Sequence, residues 1–170
     1  MARRTLRGSL VLFTALTAIL LFTVPGGAAA FRNMKEGSPA LPFTLKDFEG
    51  KDVEWKPDSG KVTILSFLKL SQDRSLDQLK DLVALHKELS GKGIDILAVA
   101  SYGDTAAEAK KAVSELGIAF PILHDKDQKV YGDYGLFILP ATGIFGKDGK
   151  FAFEHSSHGR DFRDVVGGKA

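Results

Sequence analysis

Residues able to do acid–base, nucleophilic or metal chemistry concentrate at four places in this 170-residue chain. The string Glu154-His155-Ser156-Ser157-His158-Gly159-Arg160-Asp161 sets two histidines three apart beside two carboxylates, a donor set that can bind a metal. It straddles a strand end and a loop without a recognisable third-ligand pattern, so it reads first as a solvated loop. His124-Asp125-Lys126-Asp127 is an acidic loop that lacks the D-x-D-x-D-G…E register of a calcium site. His86 lies at the edge of an amphipathic helix, with no Ser or Cys nucleophile in an evident elbow to complete a triad. Ser71, Gln72, Asp73, Arg74 and Ser75 form a polar helix entrance. An acceptor side chain at Ser71 or Asp73 can cap its first turn, and the bare helix end can receive an anion or a peptide. The chain has no cysteine, hence no thiolate nucleophile, no peroxidatic centre and no dithiol. No catalytic residue, metal site or cofactor is assigned.

The elements that position these groups follow from periodicity. Pro39 to Trp55 alternates apolar positions at Phe43, Leu45, Val53 and Trp55 about a turn at Phe48-Glu49-Gly50-Lys51, which predicts a hairpin. Lys61 to Leu68 and Ile94 to Ala100 are short apolar runs of the kind that make buried central strands. Between them, Asp73 to Ser90 carries Leu76, Leu79, Leu82, Val83, Leu85 and Leu89 mainly on one helical face. Asp104 is the expected N-cap of a second helix that stops at Gly117. Phe120 to Leu123 predicts a short strand, Asp127 to Tyr134 a helical turn, and Ala141 to Phe145 with Lys150 to Glu154 a hairpin about Lys147-Asp148-Gly149. A final helix is expected at Arg160 to Val166. The order gives one α/β domain: a mixed central sheet flanked by helices, with an N-terminal β-hairpin.

The N-terminus reads as an address. Arg3, Arg4 and Arg7 precede an uncharged stretch, apolar over residues 9–24, which ends in Pro25-Gly26-Gly27 and Ala28-Ala29-Ala30. This is the pattern of a signal peptide, with cleavage expected after Ala30; the alternative is an uncleaved anchor formed by residues 9–24. The division is therefore 1–30 as signal peptide or N-terminal anchor and 31–170 as the domain. The expected location is periplasmic or otherwise extracytoplasmic, with membrane contact only if the N-terminus stays uncleaved. Removing the three arginines turns the formal net charge from +2 to −1, and a near-neutral body lacks the footprint of a nucleic-acid binder.

Four strings stand out: Pro42-Phe43-Thr44-Leu45-Lys46-Asp47 with Gly50-Lys51, then Gly60 to Phe67, Phe120-Pro121-Ile122-Leu123, and Leu139-Pro140-Ala141-Thr142-Gly143-Ile144-Phe145 followed by Asp148-Gly149-Lys150. In this order and spacing they resemble the thioredoxin-like superfamily, in its TlpA/ResA-like branch near the AhpC/TSA redoxins. The likeness covers about Pro39 to Val166. It implies a thioredoxin fold, thiol–disulfide or antioxidant activity in cell redox homeostasis, and a C-x-x-C pair at the start of the helix after Leu68. The family pattern puts that pair at Gln72 and Ser75, or at Ser71 and Arg74 with a one-residue shift. Neither register supplies sulfur. The resemblance also implies a cis Leu139–Pro140 bond facing the motif loop, in a groove that holds an extended segment of a bound polypeptide.

Joined, these readings describe an exported, redox-inactive thioredoxin-like protein that binds or scaffolds an extended polypeptide through Ser71, Gln72, Asp73, Arg74, Leu139 and Pro140. By resemblance the partner is an exported polypeptide or a redox or cytochrome maturation protein. One alternative is an oxidoreductase or antioxidant role exercised only through a cysteine-bearing partner. The other is a metal carrier that uses His155 and His158.

Overall fold

The computed structural model describes residues 30–155. The signal segment up to residue 29, His158, Asp161 and the expected final helix at 160–166 lie outside the described residues.

Ten elements follow one another. β1 (Phe43–Asp47) and β2 (Asp52–Trp55) form the expected hairpin. Then come β3 (Val62–Leu68), α1 (Asp73–Leu89), β4 (Ile94–Ala100), α2 (Ala106–Leu116), β5 (Ile122–His124), α3 (Lys129–Tyr134), β6 (Ala141–Phe145) and β7 (Phe151–His155). All seven strands join one mixed sheet in the order β2-β1-β5-β4-β3-β6-β7. β3, β4 and β5 run parallel, joined through α1 and α2, while β1 and β6 pair antiparallel to β5 and β3. The strand expected from Phe120 starts at Ile122; Phe120 itself packs against the core.

Every residue of β3 is buried, because strands flank it on both edges and apolar layers cover both faces. Strict alternation then splits the core in two. Val62, Ile64 and Leu68 join Ile96, Ala98 and the inner face of α1 in one layer. Leu65 and Phe67 join Leu97, Val99, Phe145 and an aromatic group beneath α3 in the other. That second layer is built from edges: the Phe31 ring lies 5.8 Å from Phe67 and 5.4 Å from Phe151, and Phe67 stands perpendicular to Tyr131. Each such side chain, fully buried, contributes about 1.5–3 kcal/mol of transfer free energy.

The helix ends correct two expectations. Thr105, not Asp104, is the N-cap of α2: its hydroxyl accepts from the Glu108 N–H, and the Glu108 carboxylate accepts from the Thr105 N–H, a reciprocal capping box. Gly117 ends the helix in the left-handed conformation that glycine adopts without steric cost. At α1, neither Ser71 nor Asp73 caps the first turn. Gln72 occupies the N-cap position and makes no side-chain cap bond. Asp73 still sits in the first turn, where a carboxylate suits the positive end of the helix dipole.

Candidate functional site

The site is assembled at the end of the sheet where β3 and β4 finish and β6 begins. In the β3–β6 register Phe67 faces Ala141, so the segment preceding Ala141 lies beside the loop that leaves Leu68. That register brings Leu139 and Pro140 to the same edge as Ser71, Gln72, Asp73 and Arg74. The Leu139–Pro140 peptide bond is cis. Pro140 is buried and Leu139 half-buried, but Phe137 and Ile138 just before them are 44% and 42% exposed. The guanidinium of Arg32 stacks 3.9 Å from the centre of the Phe137 ring. Tyr102, 59% exposed, stands on the β4–α2 loop at this same end.

Gln72 and Ser75, where the resemblance implies the pair, have different surroundings. Gln72 is exposed at the helix mouth, with Ser71, Asp73 and Arg74 also open to solvent. Ser75 is fully buried, and its hydroxyl turns inward to accept the Lys69 N–H at 3.1 Å. Ser75 therefore ties the loop back onto the helix, a role that needs no sulfur. One turn along the same face, Gln78 is 6% exposed and its Nε2 has no hydrogen-bond partner among the described residues. Deeper in the sheet, the Ser66 and Thr142 hydroxyls meet at 2.8 Å, clamping β3 to β6 directly beneath this end.

Behind the loop lies a buried polar platform. The Asp104 carboxylate accepts from the Leu70 N–H at 2.9 Å and the Ser101 N–H at 2.8 Å, so it joins the loop before α1 to the loop before α2. The Tyr131 hydroxyl accepts from the Leu68 N–H at 3.1 Å and lies 2.8 Å and 3.0 Å from the Leu68 and Val99 carbonyl oxygens. Asp125, 1% exposed, accepts from the Tyr131 N–H at 2.8 Å at the start of α3. Burial pushes both carboxyls above their ordinary range, against the opposing pull of their backbone donors. The same desolvation pushes the Tyr131 phenol well up, so it stays a neutral donor.

The other candidates separate from this site. Asp125 is spent on the α3 backbone rather than facing a cation. His124 stacks on Phe48 at 4.6 Å, and its Nε2 lies 3.4 Å from the Tyr102 carbonyl oxygen. Nearby, a cavity of about 870 Å³ opens between β1 and the His124–Val130 segment, on the hairpin side. His86 packs edge-on against Phe120. No group of three metal-ligating side chains occurs among the described residues. Of the E-H-S-S-H-G-R-D string, Glu154 is engaged with the backbone of Ala30, and His158 and Asp161 lie outside the described residues.

Sequence reasoning missed the platform. The T-A-A-E spelling of a capping box at Thr105–Glu108 was available, and it would have freed Asp104 for another role. No local signal announces that Tyr131 reaches Leu68, because the two lie 63 residues apart.

A mixed sheet of this order, with a cis proline beside the N-terminus of the helix that follows the central strand, defines a thioredoxin-like protein. The chain belongs to the AhpC/TSA family, whose model matches residues 37–153. It is 30% identical over 154 residues to the thiol-disulfide oxidoreductase ResA of Bacillus thuringiensis, covering 88% of this chain and 87% of that one. Among solved structures it is similar to the thioredoxin domain of a thiol-disulfide oxidoreductase from Bacteroides vulgatus. There the TM-score is 0.70 at 21% identity, over 79% of this chain and 97% of the other. A thiol:disulfide interchange protein from Chlorobium tepidum gives 0.68 at 18% identity, over 79% and 97%. The last two likenesses concern the fold.

Proposed function

We propose that this chain is an exported, redox-inactive member of its family that holds an extended polypeptide in the groove between the α1 mouth and the Phe137–Pro140 segment. The observation that carries the reading is the absence of cysteine: the resemblance implies a sulfur pair at Gln72 and Ser75, and no position in the chain supplies sulfur. A hydroxyl stays protonated at neutral pH and forms no disulfide, so no redox cycle closes within the chain. Phe137, Ile138 and Tyr102 leave apolar surface exposed beside a helix N-terminus whose first turn lacks a side-chain cap. Charged n-region, apolar core and small-residue end in residues 1–30 support export, which puts the partner outside the cytoplasm.

The test is capture in the native host. A C-terminally tagged chain is crosslinked gently and its retained proteins are identified by mass spectrometry. The control carries Phe137→Asp and Ile138→Asp, two exposed positions whose change leaves the core intact. A small set of exported proteins lost in the control supports the reading; equal recovery from both chains sinks it. A captured partner with its own cysteines, whose disulfide is reduced faster when this chain is added, would replace scaffolding by an assisting role in thiol exchange.

A further inference from the structure

Glu154 holds the beginning of the domain. Its Oε1 accepts from the Ala30 N–H at 2.7 Å and its Oε2 lies 3.4 Å from the Phe31 nitrogen, so one carboxylate receives two consecutive backbone donors across 124 residues of sequence. Neither residue is loose. Ala30 is 3% exposed, and Phe31 is 1% exposed with its ring among Phe67, Tyr134 and Phe151. Phe31 also bridges Leu136, and the Arg32 N–H reaches the Gly135 carbonyl at 3.1 Å. Glu154 has no Lys or Arg partner among the described ion pairs. A carboxylate on a sheet edge that takes two backbone N–H groups, with no cation beside it among the described residues, is a cation receptor in form.

We propose that Glu154 is the receptor for the α-ammonium of Ala30, created when a signal-peptidase-class protease cuts the Ala29–Ala30 bond. In that hydrolysis the C–N bond breaks. Water supplies the hydroxyl of the new Ala29 carboxyl and a proton to the Ala30 amine, which then takes up a second proton at neutral pH. The amide N–H at 2.7 Å becomes an ammonium at the same place, a distance typical of charge-assisted bonds. Small residues at Gly27 and Ala29 suit a cut there as well as Ala28 and Ala30 suit one after Ala30. The structure separates the two. A cut after Ala30 would discard a buried methyl and the short bond, leaving only the 3.4 Å contact. Burial of Ala30 in the folded domain does not obstruct the protease, which acts on the chain as it emerges from the membrane.

The inference rests on the exported reading above, and the experiment tells the two failures apart. The full chain is expressed in a Gram-negative host, recovered from the periplasm and weighed by intact mass spectrometry. A mass beginning at Ala30 is expected. Unprocessed chain in the cytoplasm overturns the exported reading and this inference with it. Exported protein beginning at Phe31 or elsewhere overturns this inference alone. A second arm compares Glu154→Gln in the processed protein and in a form whose N-terminus is moved back to Gly27, where Ala30 is again an amide. Glu154→Gln should lower Tm by about 6 °C in the first and about 3 °C in the second, the difference between an ammonium–carboxylate ion pair and a neutral amide donating to the same carboxylate. Equal losses in both forms overturn the receptor assignment even if the cut is at Ala30.

Discussion

The α1 mouth and the platform behind it lie a few residues apart, yet they are built on opposite rules. At the mouth, Ser71, Gln72, Asp73 and Arg74 are exposed, and the N-cap side chain makes no cap bond. In the platform, Asp104, Asp125 and Tyr131 are buried and bonded to backbone groups at 2.8–3.1 Å, each ordering a different loop. The contrast shows which part of a thioredoxin-like centre is chemistry and which is carpentry. The chemistry consists of two atoms of sulfur, and the one side chain of that pair that a neighbour uses, Ser75, meets the Lys69 N–H with an oxygen instead. The carpentry is distributed, and every piece of it satisfies a backbone donor that would otherwise be buried alone.

The strongest way to break that division is to return the sulfur. If the platform still presents the α1 mouth as a reactive site requires, Gln72→Cys with Ser75→Cys should convert an inert chain into one that reduces insulin disulfides with dithiothreitol as electron source. The first thiol would sit at a helix N-terminus, where the dipole favours the thiolate, and Arg74 adds to that field while Asp73 subtracts from it. The expected change is from no turnover above the dithiothreitol blank to clear turnover. A folded double variant that stays at the blank would mean the carpentry has drifted too.

A second test compares the regions on stability. Asp104→Ala leaves the buried Leu70 N–H without its acceptor, at about 1–3 kcal/mol for a donor left unpaired, and takes from the Ser101 N–H one of two acceptors, the Leu68 carbonyl at 3.1 Å remaining. Denaturant unfolding should therefore show a loss of about 2 kcal/mol. Gln72→Ala, which removes an exposed side chain with no cap bond, should stay within about 0.5 kcal/mol of the parent. Comparable losses at the two positions would erase the distinction.

How much of this was legible follows the same line. The strands and helices were legible because apolar alternation and 3.6-residue spacing are local signals, and β3 with its seven buried residues is the plainest case. The cis bond at Pro140 was reached through the family resemblance, which a single sequence carries in its strings. Asp104 was misread as a helix cap because its neighbours Ser101 and Thr105 invite a local explanation. Its real partner includes Leu70, 34 residues back, and pairing at that separation leaves no periodicity to read. The hold of Glu154 on Ala30 was hidden for the same reason: the string around it suggested a metal loop, while its bond spans the length of the domain.

The smallest effect is one of pH, and its sign is opposite to that of most paired carboxylates. Burial raises the Asp104 carboxyl above its unfolded value, so between those two values the folded chain holds a proton that the unfolded chain has released. Stability contributed by this group is then fully present below the unfolded pKa, near 4, and is lost as pH rises through the higher folded value. Asp125 is shifted the same way, and Glu108 and Asp148 the other way; all three remain in an Asp104→Asn variant, where Asp125 and Asp148 cancel in the difference and Glu108 loses only its repulsion with Asp104. The parent's advantage over Asp104→Asn, measured by thermal unfolding from pH 3.5 upward, should therefore shrink as the solution becomes less acid. An advantage that grows over that range would mean the two N–H bonds outweigh desolvation, making Asp104 a charged anchor rather than a buried one that tolerates its proton.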